Sequence, residues 1–126
     1  MDIMSRIILC LWITLSSKYY SSAQSKQLAV VGSTVQLHCP YDGRNKNFIS
    51  WYKLIEGAPS QLSFENGVIA VNFPDLKQRL SVTGDHNAGE YHLYISLLKK
   101  NDEGEYQCGE HNSMNVQKYR LIVIVG

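Results

Sequence analysis

Beyond the first two dozen residues, apolar and polar positions alternate in short runs broken by turn residues about every ten positions. No stretch there repeats apolar residues at a helical 3, 4, 7 spacing over three turns, so the pattern predicts strands. Residues 28–31 end at Gly32-Ser33, and residues 34–39 alternate with Val35, Leu37 and Cys39 on one face. A polar stretch over 40–47 leads into 48–54, rich in residues that suit a pleated surface, and Gly57-Ala58-Pro59 marks the next turn. Residues 61–64 and 68–71 flank Glu65-Asn66-Gly67, where Asn-Gly tolerates positive φ and predicts a two-residue hairpin at a sheet edge. Residues 79–83 and 90–96 form another pair across 84–89, with Tyr91, Leu93 and Ile95 toward the core. Residues 105–109 and 118–125 complete eight or nine strands, too many for one flat sheet in a chain of this length; two packed sheets follow. In 121–125 both alternating sets are apolar, so one of them must face outward or meet another domain.

The first 23 residues have a different character. Arg6 precedes the apolar run 7–15, and Ser21-Ser22-Ala23 offers a small-residue cleavage pattern, which together read as a secretory signal. The run is about half of what a bilayer core requires, and the later run 121–125 is only strand length, so no membrane span is expected in this chain. The remaining residues, from 24 to 126, suffice for one domain. An apolar fraction of 44% and a charged fraction of 18% indicate a packed core rather than disorder. Lys plus Arg is 12 and Asp plus Glu 11, and removing Asp2, Arg6 and Lys18 with the leader leaves an even balance. That balance gives no electrostatic footprint for nucleic acid.

The leader implies an oxidising compartment, and Cys10 departs with it, leaving Cys39 and Cys108 to form one disulfide. Closing so long a loop restrains the unfolded chain by about 4 kcal/mol on the entropic estimate. A zinc site needs about four ligands, and His38, His86, His92 and His111 show no paired spacing with these cysteines, so no metal and no other cofactor is expected.

Cys39, Trp51 twelve residues beyond it, and Asp102-Glu103-Gly104-Glu105-Tyr106-Gln107-Cys108 resemble the immunoglobulin variable-type (V-set) domain over nearly all of residues 27–125. The resemblance implies an all-β sandwich of two antiparallel sheets with Cys39–Cys108 bridging them and Trp51 against the bridge. It also implies a core containing Tyr106, Leu93 and Ile95, a Tyr106 hydroxyl turned back onto the backbone near Asp102, and an Arg79–Asp102 salt bridge closing the lower end. The separation of Trp51 from Cys108 leaves room for the extra middle hairpin of the variable set. Antigen-receptor chains carry a Phe/Trp-Gly-x-Gly bulge in the last strand; residues 115–120 have no glycine, which points to a germline-encoded receptor or adhesion domain. Cys39-Pro40-Tyr41 with Tyr106-Gln107-Cys108-Gly109 is similar to the polymeric immunoglobulin receptor and CD300-like group, although the second disulfide usual there has no cysteines here.

No Gly-x-Ser-x-Gly elbow, metal cluster or phosphate-cradling loop occurs, so the expected function is noncovalent recognition and not catalysis. Two surfaces are candidates for contact with a protein ligand or a like domain. In a variable-type sandwich the loops 42–47, 65–67 and 111–115 gather at one end, offering Arg44, Lys46, His111 and Asn112. If Trp51 and Cys108 point inward, alternation sends Tyr52, Leu54 and Gln107 outward, and Leu62 matches a position that faces partners in paired variable domains. The leading expectation is a ligand-recognition ectodomain of an immune-type receptor, secreted or at the extracellular face. The alternatives are a homophilic adhesion domain that forms a homodimer through Tyr52 and Leu54, and a secreted effector binding glycan or lipid, for which Arg44, Lys46 and His111 are few.

Overall fold

The computed structural model describes residues 24–44, 48–111 and 113–126. Among the described residues nine strands form two sheets: β1 (Ser25–Val30), β2 (Val35–Leu37), β3 (Ile49–Ile55), β4 (Ala58–Phe64), β5 (Gly67–Val68), β6 (Leu80–Thr83), β7 (His92–Ile95), β8 (Gly104–Glu110) and β9 (Val116–Ile124). The larger sheet runs β1-β9-β8-β3-β4-β5 and the smaller β2-β7-β6. All pairings are antiparallel except β1 with β9, which places Leu28 beside Ile122 and Val30 beside Ile124. The expected leader lies outside the described residues.

Alternation decides what enters the interior. Val35, Leu37, Leu93 and Ile95 from the smaller sheet meet Ile49, Trp51, Tyr106, Cys108, Leu121 and Val123 from the larger, all buried. Cys39 and Cys108 are joined across this core with their Cα atoms 6.1 Å apart. Trp51 sits directly beside Cys108 in the ladder and its ring stacks on Tyr119, while its indole N–H donates to the Tyr91 carbonyl at 2.9 Å. Of the two apolar sets in the last strand, Leu121 and Val123 are buried and Ile124 is exposed beside Val30.

Local geometry departs from the sequence reading at four places. Tyr91 packs against the core as expected but is only partly buried, and β7 begins after it, at His92, two residues later than the expected strand. At the middle hairpin Phe64 pairs with Gly67, so the two loop residues are Glu65 and Asn66, and Glu65 takes the positive φ of 53°. The returning strand is Gly67–Val68 alone, after which the amides of Ile69 and Ala70 both turn to the Leu62 carbonyl. The turn before β4 is Glu56-Gly57, with φ of 51° and 82°, the double positive φ of a type I′ hairpin, leaving Ala58 and Pro59 inside the strand. The fourth departure is an addition: a single helical turn, α1 (Pro74–Lys77), opens with proline, where no amide is needed, and buries Leu76 in the core.

Candidate functional site

Strand register arranges the outer face of the larger sheet in rows. Phe64, Ser50, Gly109 and Val116 form the upper row, Gln61, Tyr52, Gln107 and Lys118 the middle one, and Glu105 stands beside Arg120 below. Tyr52, Leu54 and Gln107 are half-buried; Tyr52 and Gln107 are flanked by strand neighbours on both sides, and Leu54 stands beside Pro59 nearer the lower margin. Lys118 and Arg120 are exposed, and Arg120 makes an open 3.5 Å ion pair with Glu105. A recess of about 310 Å³ opens at the lower margin between Leu54, Glu56, Glu105 and Arg120.

Leu62 does not belong to this face. It is fully buried, because β4 carries one extra residue: Trp51 opposes Ser63 while Tyr52 opposes Gln61, and Leu62 is the insertion between them. Such a β-bulge sends two consecutive side chains to the same side, here Leu62 and Ser63 into the core.

The loops above the face converge. The His111 amide donates to the Phe48 carbonyl at 2.7 Å and the Glu65 amide to the Ile49 carbonyl at 2.8 Å, which ties the turns after β8 and β4 to the segment entering β3. Three rings meet there: Phe48 lies 5.3 Å from Phe64, and His111 stands edge-on 6.5 Å from each. Phe48 and Phe64 remain 43% and 41% exposed, which makes a compact aromatic surface at the tip of the sheet. Sequence reading missed both phenylalanines, although residues 48, 50, 52 and 54 share one alternation set and the outward parity of Tyr52 extends back to Phe48. Arg44 is exposed on the same end but is bound to Asp42 at 2.6 Å, and this pairing holds the Asp42 carboxyl below its usual range. Lys46 and Asn112 lie outside the described residues.

The opposite end is closed by charge. Arg79 donates to both carboxylate oxygens of Asp102, at 2.6 and 2.7 Å, and to the carbonyls of Ser96 and Leu97. Both side chains of the pair are over nine-tenths removed from solvent, and the bonds to Asp102 push the guanidinium pKa further up. The Tyr106 hydroxyl donates to the Asp102 carbonyl, and burial raises its pKa. Lys53, on the inward side of β3, donates to the carbonyls of Asn101 and Asp102 at 3.2 and 3.3 Å, with the Phe73 and Tyr106 rings each 5.3 Å away. Burial lowers its pKa, and Asp102 works against that shift.

Among the described residues there is no group of three or more His, Cys, Asp or Glu placed to hold a metal ion, and no helix long and apolar enough to cross a membrane. The arrangement is a disulfide-bridged, two-sheet sandwich with a patterned outer face on the larger sheet. The chain belongs to the immunoglobulin V-set family, whose domain model matches residues 22–125. Among solved structures it is similar to a chain of the complex of Dpr1 IG1 bound to DIP-eta IG1, with 20% identity over 81% of this chain and 91% of that one and a TM-score of 0.65. It is also similar to the natural killer cell receptor NKp44, a triggering partner in natural cytotoxicity, at 19% identity over 80% of this chain and 98% of that one, with a TM-score of 0.60. Identities this low establish the shared fold.

Proposed function

We propose that this chain is the ligand-recognition ectodomain of a germline-encoded immune-type receptor, exported by the leader over residues 1–23 and acting by noncovalent protein–protein contact. The observation that carries the reading is the outer face of the larger sheet: half-buried Tyr52 and Gln107 at its centre with Leu54 toward the lower margin, capped by the exposed Phe48, Phe64 and His111 cluster. Rigid aromatic side chains above a packed, mixed-polarity sheet are the usual material of binding hot spots. Arg44, Lys46 and Asn112 are rim contributors in this reading, outside the energetic centre. The test is a binding screen of a multimerised chain against a panel of extracellular domains. A genuine ligand loses affinity by more than about tenfold with Tyr52→Ala or Phe64→Ala and is unaffected by Gln36→Ala on the opposite sheet. Equal loss from all three variants, or from none, overturns the assignment of the face.

A second reading is favoured by the Dpr1 structure, in which one immunoglobulin domain binds another. Here the same face pairs with a like domain, including a second copy, as a homophilic adhesion module. Sedimentation at rising concentration separates the two: a mass that doubles, and reverts with Tyr52→Ala plus Leu54→Ala, selects adhesion, whereas a constant monomer mass excludes it.

A further inference from the structure

Near the upper end of the smaller sheet a histidine replaces a rung of the backbone ladder. The β2–β7 register pairs Leu37 with Leu93 and, continued, sets Cys39 opposite Tyr91. The Tyr91 carbonyl, however, accepts from the Trp51 indole. The Cys39 amide donates instead to Nδ1 of His92, at 3.0 Å. His92 is only 5% exposed, and the His38 ring covers it in a stack with centroids 4.3 Å apart and planes inclined by 26°. The His38 carbonyl in turn accepts the Tyr119 hydroxyl, so β2, β7 and β9 meet at this point, one residue before the loop that carries Tyr41, Asp42 and Arg44.

The bond fixes the protonation state. An imidazole accepts at Nδ1 only when that nitrogen carries a lone pair, so His92 is neutral with its proton on Nε2. A second proton abolishes the acceptor, leaves the Cys39 amide buried without a partner, and sets a cation against the stacked His38 ring. We infer that His92 is an acid-operated latch: neutral, it clamps the end of β2 to β7 beside the disulfide, and protonated, it releases that end and the root of the following loop.

The surrounding groups agree in sign. Just past β2 the facing group is His38, which opposes a proton on His92. From the β6 side come Thr83, its cross-strand partner, and Gly84, whose backbone lies close against the ring; neither is charged. Glu90, two residues before His92, favours the proton, but its carboxylate is engaged by the Asp85 amide. His86 is turned away, with Nδ1 against the Glu90 carbonyl and its ring stacked on Tyr91. Burial is the largest influence and His38 the next, so the closed latch holds the His92 pKa below that of a free imidazole. Acidification through the range where histidine titrates therefore favours the open form.

Amide hydrogen exchange of Cys39 in the oxidised chain, corrected for intrinsic rate, tests the latch. Between about pH 7 and about pH 5 its protection is expected to fall, about tenfold for each pH unit by which closure suppresses protonation. In His92→Asn, whose side-chain oxygen accepts from the same amide but does not titrate, protection is expected to stay flat. PH-independent protection in the wild-type chain overturns the inference, as does an equal fall in His92→Asn. Long-range proton–nitrogen spectra of the wild-type imidazoles give an independent reading should that variant fold poorly. They are expected to show Nδ1 of His92 unprotonated at neutral pH and His92 titrating below a free imidazole; a proton on Nδ1 at neutral pH refutes the latch.

Discussion

At the lower end of the sandwich Arg79, Asp102, Lys53 and Tyr106 are buried and bonded to one another, whereas at the upper end Phe48, Phe64 and His111 stand open to water. The lower end spends its polar groups inward: each cation has a carboxylate or carbonyl, and the same aspartate serves Arg79 through its carboxylate and Tyr106 and Lys53 through its carbonyl. The upper end leaves apolar rings where burial would otherwise stabilise the chain. The difference separates two duties within one domain, since removing a partner below damages the fold and removing a ring above damages only contact.

That contrast can be tested from both sides. Arg79→Ala leaves Asp102 buried without its cation and is expected to cost about 3–5 kcal/mol in denaturant unfolding; a loss under about 1 kcal/mol would show the lower end to be solvated. Tyr106→Phe keeps the ring and removes one donor to a carbonyl that Lys53 still serves, so about 1–1.5 kcal/mol is expected from the same measurement. Acidification gives a smaller, graded effect near the upper end. Because folding lowers the His92 pKa, the unfolded chain takes up the proton first. The contribution of His92 is therefore complete above about pH 6.5, declines as the pH falls below that, and levels off beneath the folded-state pKa. Thermal melts across this range should show the decline, and His92→Asn should flatten it. Phe64→Ala, at the exposed tip, is expected to change stability by no more than about 0.5 kcal/mol while abolishing ligand capture; a large stability loss would mean that the aromatic cluster is a structural cap.

What could be read from sequence follows the rigidity of each constraint. The disulfide, Trp51, Tyr106 and the Arg79–Asp102 pair sit at spacings that a bridged sandwich imposes, and the residues appear in that order with little latitude. Leu62 matches a partner-facing position of paired variable domains, yet the β4 bulge, which leaves no local mark in composition, turns it into the core. Phe48 and Phe64 were absorbed into the strand pattern, since phenylalanine serves equally for a core and for a contact tip, and only the ring geometry tells them apart. Lys53 shares the parity of Trp51, yet a lysine inside a sandwich is intelligible only once the carbonyls of Asn101 and Asp102 are seen around it.

The inserted residue in β4 couples strand length to surface chemistry. Losing one residue among 58–60, with the strand straightened to fit, would turn Gln61 into the interior and Leu62 to solvent. A single-codon deletion in this hairpin would thus exchange a polar contact for a greasy one on the binding side and plant an amide in the core, an outcome that no lone substitution could reproduce.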